Sequence, residues 1–341
     1  MSIHFTRRSL VRGITAATAV VTLATGLAAC GGDSDAATTT DNAASESVTI
    51  GQFSNGAATE TTLKVSEVPS ISAELPDAIR KSGKLVIGHG ALPSGSAPLD
   101  YVGDDQKTLT GSETDIGRLV AAVLGLEPES KNFTWENLFI GVDSGKVDVA
   151  FSNVTDTEER KEKYEFASYR QDNLAFEVLK SSNWKFDGNY ENLAGKTVSV
   201  GSGTNQERIL IEWQRKLQGE GKKLTIKRYP DNNGAYLALS SGKIDAHFGP
   251  NPTISYHITQ TAKTDKATAN AGTFSGAGAS LQGLIAATSK KDSGLAKPVA
   301  DAINYLIKNG QYAKWLAAWN LSNEAVAKSE INPPGLPLDN S

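Results

Sequence analysis

Residues 152–160 read SNVTDTEER, directly after the apolar run VDVAF at 147–151. Ser152 and Thr155 bring hydroxyls to the end of a buried-type strand, and Arg160 follows Thr155 by five. A guanidinium is a flat fork of donors that matches a carboxylate in a bidentate way, which lysine cannot copy. The spacing leaves two readings for Arg160: a solvated helix charge paired with Glu162 or Glu165, or a grip on something anionic between strand end and helix start. Thr157 reads as a helix N-cap, with Glu158 and Glu159 favouring the positive helix start.

A second stretch, GSGTNQE at 201–207, sits between a strand pattern and a long amphipathic helix. Glycines there expose backbone N–H groups, and the helix start carries partial positive charge. Gly203, Thr204 and Asn205 therefore either form a plain capped turn or touch an anion. No lysine stands where a phosphate-binding loop needs one. His89 and His247 could reach a cleft but are dispersed, and His257 reads as helical, so structural or surface roles are expected of all three ahead of ligand contact. Neither a metal nor a cofactor is expected. Trp315 and Trp319, four apart, read as the core face of a helix.

Strands and helices alternate around these residues. KLVIG (84–88) is a buried-strand pattern, and TDIGRLVAAVLGL (114–126) puts Ile116, Leu119, Val120 and Val123 on one helical face before Gly125. WENLFIGVDSGK (135–146) is helical and VDVAF is the next strand. LAFEVLK (174–180) is a strand, and a second alternation starts at KTVSVGSGTNQERILIEWQRKL (196–217). LTIKRY, the helix NGAYLALSSGK and the strand IDAHFG follow, then LQGLIAATSK (281–290) as a returning strand and two helices over 297–321. Such alternation predicts a parallel-type sheet with helices on its faces. SGKVDVAF and SGKIDAHF repeat one helix-end, strand-start pattern, which predicts two similar lobes crossed twice, near 174–180 and 281–290.

At the N-terminus, TRRSLVR (6–12) is basic and GITAATAVVTLATGLAA (13–29) carries no charge. Seventeen residues rich in Ala, Thr and Gly fit a signal peptide over 1–29 better than a permanent span. The basic segment fits a twin-arginine export signal and an ordinary n-region equally. LAAC (27–30) resembles the bacterial lipobox, which implies lipidation at Cys30 and attachment to the membrane. Cys30 is the only cysteine, so no internal disulfide is possible. Residues 31–62 are small and polar, and 30–74 reads as a flexible tether to a body starting near Leu75. Removing 1–29 leaves 31 basic against 38 acidic residues, a balance of −7. An acidic body without a basic stripe repels phosphate backbones, which argues against nucleic-acid binding.

Taken in order, GKLVIG, APLDYV, TGSETDIGRLVAAVLGL, SGKVDVAFSNVTDTEER, LAGKTVSVGSGTNQE, SGKIDAHFGPNP and NGQYAKWLAAWNL resemble the family 3 bacterial extracellular solute-binding proteins over roughly residues 75–335. These are the receptors of polar amino-acid ABC importers. The resemblance implies an α/β, two-lobed type II periplasmic-binding-protein fold with two crossover strands forming a hinge. Lobe 1 is expected over 75–177 and 286–341, and lobe 2 over 178–285. It implies a monomer that closes on a small-molecule carboxylate ligand, is read by an ABC permease, and lies at the outer face of the cytoplasmic membrane or in the periplasm.

By the same resemblance Arg160 grips the ligand's α-carboxylate, with Ser152, Asn153 and Thr155 beside it. Trp135 falls at an aromatic wall position, though core packing explains it equally. Many relatives place an aspartate for the ligand ammonium where Pro250 stands here; Asn251 beside it offers only an amide. The early acid after the first strand is missing from HGALPSG (89–95), and Leu99 replaces the aromatic of the family's PPF. The expected ligand is accordingly an organic anion or modified amino acid rather than a standard one. Two other functions remain on this scaffold: an exported dehydratase-like enzyme, and a sensor signalling through another receptor. An enzyme needs a proton donor and acceptor in the cleft, and the matched positions supply none, so no catalytic residue is expected.

Overall fold

The computed structural model describes residues 45–338. The expected signal peptide, Cys30 and the first part of the expected tether lie outside the described residues.

The folded body begins at the first described residues. Strand β1 (Ser45–Ile50) pairs antiparallel with β2 (Thr61–Ser66). Val48 and Ile50 on one strand, and Leu63 and Val65 on the other, all turn inward and are buried in the main core. This corrects the tether expectation for residues 45–74. The small polar residues there occupy the outer face, while a period-two apolar set supplies a face that the core can bury.

Two short helices follow, α1 (Pro69–Ser72) and α2 (Asp77–Ser82), the latter stopped by Gly83 at φ 67°. Strand β3 (Lys84–Leu92) leads to a small antiparallel pair, β4 (Tyr101–Val102) and β5 (Leu109–Thr110). Helix α3 (Ser112–Val123), almost wholly buried, is followed by β6 (Glu127–Thr134), α4 (Trp135–Asp143) and β7 (Val149–Ala150). The sixteen-residue β8 (Tyr164–Leu179) comes next. Then come β9 (Thr197–Gly201), α5 (Asn205–Gly219), β10 (Thr225–Tyr229), α6 (Asn232–Ser240), β11 (Ala246–Pro250) and α7 (Asn251–Thr261). The chain returns through β12 (Thr268–Ser275) and β13 (Gly283–Lys290) and closes on α8 (Ala296–Lys308) and α9 (Gln311–Ala318).

The main sheet runs β10-β9-β11-β8-β13-β7-β3-β6, with β12 also paired to β8. It is mixed rather than parallel throughout. β3 is parallel to β6 and β7, and β9 to β10 and β11, while β8 runs antiparallel to β11, β12 and β13.

The two larger cores among the described residues lie along this sheet. One joins the hairpin, α3, α8 and α9 with β3, β7 and the first half of β8. The other gathers Leu174, Phe176 and Val178 of β8 with β9, β11 and α5. The change of core along β8 falls at Asp172–Asn173, ahead of the expected 177/178 boundary, because Leu174 and Phe176 already pack into the second core. Residues after α9 recross the boundary: Leu336 is fully buried in the second core. Trp315 and Trp319 sit in the first.

Candidate functional site

The strands of both halves end around one cavity of about 270 Å³. Its walls come from the end of β3 and the loop after it, the start of α4, the turn after β7, the β9–α5 turn, the start of α6 and the end of β11. In open α/β sheets ligands bind in just such a crevice at strand ends. Contacts between the halves close its rim. Ser96 and Thr253 hydroxyls meet at 2.8 Å, the Asn232 amide donates to Ser96 at 3.3 Å, and Trp135 Nε1 donates to the Gly203 carbonyl at 3.3 Å.

Ser152 lines the cavity, accepting from the Gly90 N–H at 2.8 Å and donating to Asp100. Asn153 also lines it, at φ 51°, where asparagine is among the few non-glycine residues tolerated. Its N–H donates to Glu113 at 2.8 Å and its amide oxygen accepts from Arg170. Arg170 is buried and paired with both buried carboxylates, Glu113 and Glu324, so the turn that carries Asn153 is fixed from behind. Trp135 lines the cavity and stacks edge-on against Phe139 at 5.1 Å, so it is both wall and packing residue.

In the second half, Thr204 is the N-cap of α5, accepting from the Glu207 N–H at 3.2 Å, and Asn205 follows it; both line the cavity. The Asn205 amide and the Thr155 hydroxyl, one from each half, donate to the same oxygen of Asp172, at 3.0 and 2.7 Å.

Four expected site residues are not brought into this cavity. The Thr155 hydroxyl is spent on Asp172. Gly203 turns its carbonyl to Trp135 and its N–H to Glu207. Asn251 opens α7 and its side chain bonds Asn270 at 3.4 Å. Arg160 lines an adjoining depression with Phe139, Gly203 and Glu207. There its guanidinium donates to the Thr155 carbonyl at 2.8 Å and the Gly203 carbonyl at 3.4 Å, and lies over the rings of Trp135 and Phe139 at 5.4 and 5.2 Å. It faces the junction of the halves. Burial lowers its pKa to about 10, so it stays cationic at neutral pH.

Two lining residues escaped the sequence reading as site groups. Asp100, 3% exposed, brings a carboxylate into a cleft that was expected to lack one. Burial pushes its pKa up to about 7. The signal was present in APLDYV, where an acid stands between the buried Leu99 and Tyr101. His247 also lines the cavity while keeping a structural place; burial holds it neutral, lowering its pKa to about 4, and Nδ1 meets the Ser199 hydroxyl at 2.9 Å. His89 and His257 have structural places, the first buried beside Ser130 and the second against Glu177 at 2.6 Å.

This is the fold of the type II periplasmic binding proteins, with a cleft between two halves that enclose a small solute. The chain belongs to the bacterial extracellular solute-binding proteins, family 3, whose model matches residues 91–322. It is 30% identical over 246 residues to the L-cystine-binding protein TcyJ of Escherichia coli (strain K12), covering 70% of this chain and 85% of that protein. Among solved structures it resembles an amino acid ABC transporter substrate-binding protein, AbpA from Streptococcus pneumoniae, bound to L-arginine. That match has 26% identity and a TM-score of 0.59, and covers 72% of this chain and 99% of the other. The ancestral amino acid-binding protein AncCDT-1, a precursor of cyclohexadienyl dehydratase, matches at 26% identity and TM-score 0.59, over 71% and 97% of the two chains.

Proposed function

We propose that this protein is the receptor of an ABC importer and captures an amino acid or amino-acid-like solute by closure of two lobes. The halves on either side of Asp172–Asn173 act as the lobes, and β8 with the return between β12 and β13 acts as the hinge. The observation that carries the reading is a cavity lined from both halves at the strand ends. A ligand there gains its full set of contacts only when the lobes are together, so it shifts the population toward the closed form. The Asn153 amide from one side, and the backbone N–H groups at the start of α5 from the other, offer donors to a carboxylate.

Arg160 completes this grip in our reading. Its 3.4 Å contact with the Gly203 carbonyl is a long hydrogen bond, readily exchanged for an incoming carboxylate. Such exchange explains a guanidinium held at the seam of the lobes. Retention at the membrane rests on a lipid at Cys30, which places a monomeric body outside the cytoplasm beside its permease. The protein is not an enzyme in this account: membership of a binding-protein family supports that. Calorimetric titration with the twenty amino acids tests the function. A one-to-one complex at micromolar strength or better is expected with at least one of them.

A further inference from the structure

The segment INPPGLPL (331–338), beyond α9, touches both halves within a few residues. It starts on the first half, where the Asn332 N–H donates to the Phe166 carbonyl of β8 at 3.0 Å. Lys161 then donates to the Pro333 carbonyl, and the Gly335 N–H donates to the Glu158 carboxylate at 2.9 Å. Leu336 pairs with the turn after β7. Its N–H donates to the Asp156 carbonyl at 3.2 Å, and its carbonyl accepts from the Glu158 N–H at 3.0 Å. The side chain of the same residue, however, is fully buried in the second core. One step further on, the Arg208 guanidinium of α5 donates to the carbonyls of both Pro337 and Leu338. Backbone fixed to one half and side chain sunk in the other make this segment a third link between them, beside β8 and the β12–β13 return.

We propose that residues 333–338 are a strap that favours the closed arrangement of the lobes and positions the turn carrying Arg160. The proposal goes beyond the receptor reading above but rests on its hinge. The strap contacts coexist with the rim contacts of Trp135, Ser96 and Asn232. A rotation that carries α5 away from the 156–160 turn must pull Arg208 off two carbonyls and off Glu159, which it meets at 3.4 Å, or draw Leu336 out of the second core. Three prolines fix φ at 333, 334 and 337, so the strap is stiff and cannot stretch to keep both ends. Groups that lose their partners on opening oppose it. A larger closed fraction in the free protein raises apparent affinity in proportion.

The link to Arg160 is direct. Thr157, bridged to Leu336, accepts from the Arg160 N–H through its hydroxyl at 3.1 Å. The strap is also pressed close to this turn: a Cβ on Gly335 would stand 2.5 Å from the Asp156 carbonyl oxygen. Any side chain there lifts the strap from the first half, as loss of Arg208 frees it from the second.

The test places spin labels at Ile140→Cys on α4 and Leu237→Cys on α6, both exposed, in the full chain carrying Cys30→Ser. The starts of these helices form opposite walls of the cleft, so pulsed electron paramagnetic resonance between them reads closure. Arg208→Ala and Gly335→Ala, at opposite ends of the strap, are each expected to lengthen the ligand-free distance. Each should also weaken an amino acid that binds wild type by about fivefold or more, and saturating ligand should restore the wild-type bound distance. An unchanged ligand-free distribution in either folded variant overturns the strap, whatever happens to its melting temperature, because a merely structural segment lowers stability without moving the lobes. Lengthened distances that none of the twenty amino acids shortens uphold the strap and overturn the receptor reading instead.

Discussion

At the residue scale the proposed function divides the ligand contacts between Arg160 and the residues that line the cavity. Arg160 rests on two carbonyls and two aromatic rings at the seam of the halves, with Asp172 and Glu159 the foremost charges favouring its cationic form. If it takes over a ligand carboxylate, removing it leaves that carboxylate desolvated and unpaired. Arg160→Ala should then weaken binding by about 2–5 kcal/mol, roughly thirty-fold to several-thousand-fold, as read by calorimetry. Arg160→Lys should not restore it, because a point charge cannot reproduce the fork. Binding by Arg160→Ala within threefold of wild type would assign the carboxylate grip to other groups. The strand-end hydroxyls and the capped α5 turn were legible in the sequence because their types and spacing carry the chemistry. Asp100 was not, because its distance from Ser152 is created only when the loop after β3 folds back over Gly90.

At the scale of elements, runs with a single period were readable and runs that mix signals were not. KLVIG, the helix before Gly125 and KTVSV each carry one pattern, and the structure has β3, α3 and β9 there. The first half of β8 was hidden because YEFASYRQDN carries Arg170 and Asp172, charges that are buried only because partners from distant segments satisfy them. The β1–β2 hairpin was hidden by composition, since four alternating apolar residues sit in a background of Ser, Thr and Gly. Ile50, fully buried there, gives a sharp check. Ile50→Ala should destabilise the body by about 2–5 kcal/mol in denaturant unfolding, the usual cost of truncating a core aliphatic. A flexible tether would lose nothing.

For the whole molecule, the two larger cores share β8 and the cavity lies between them, so in the proposed function the hinge, the rim contacts and the ligand contacts are parts of one equilibrium. Anchoring is separable from it. Cys30→Ser should move the protein from the membrane fraction to the soluble fraction with its unfolding transition unchanged; retention in the membrane fraction would point to a spanning leader instead. The claim on which the account stands is that an amino-acid-type solute binds between the halves. Titration of the purified protein with the twenty amino acids measures this most directly. The account predicts saturable one-to-one binding of at least one of them at micromolar strength or tighter; no heat of binding from any of the twenty at millimolar concentration would contradict it.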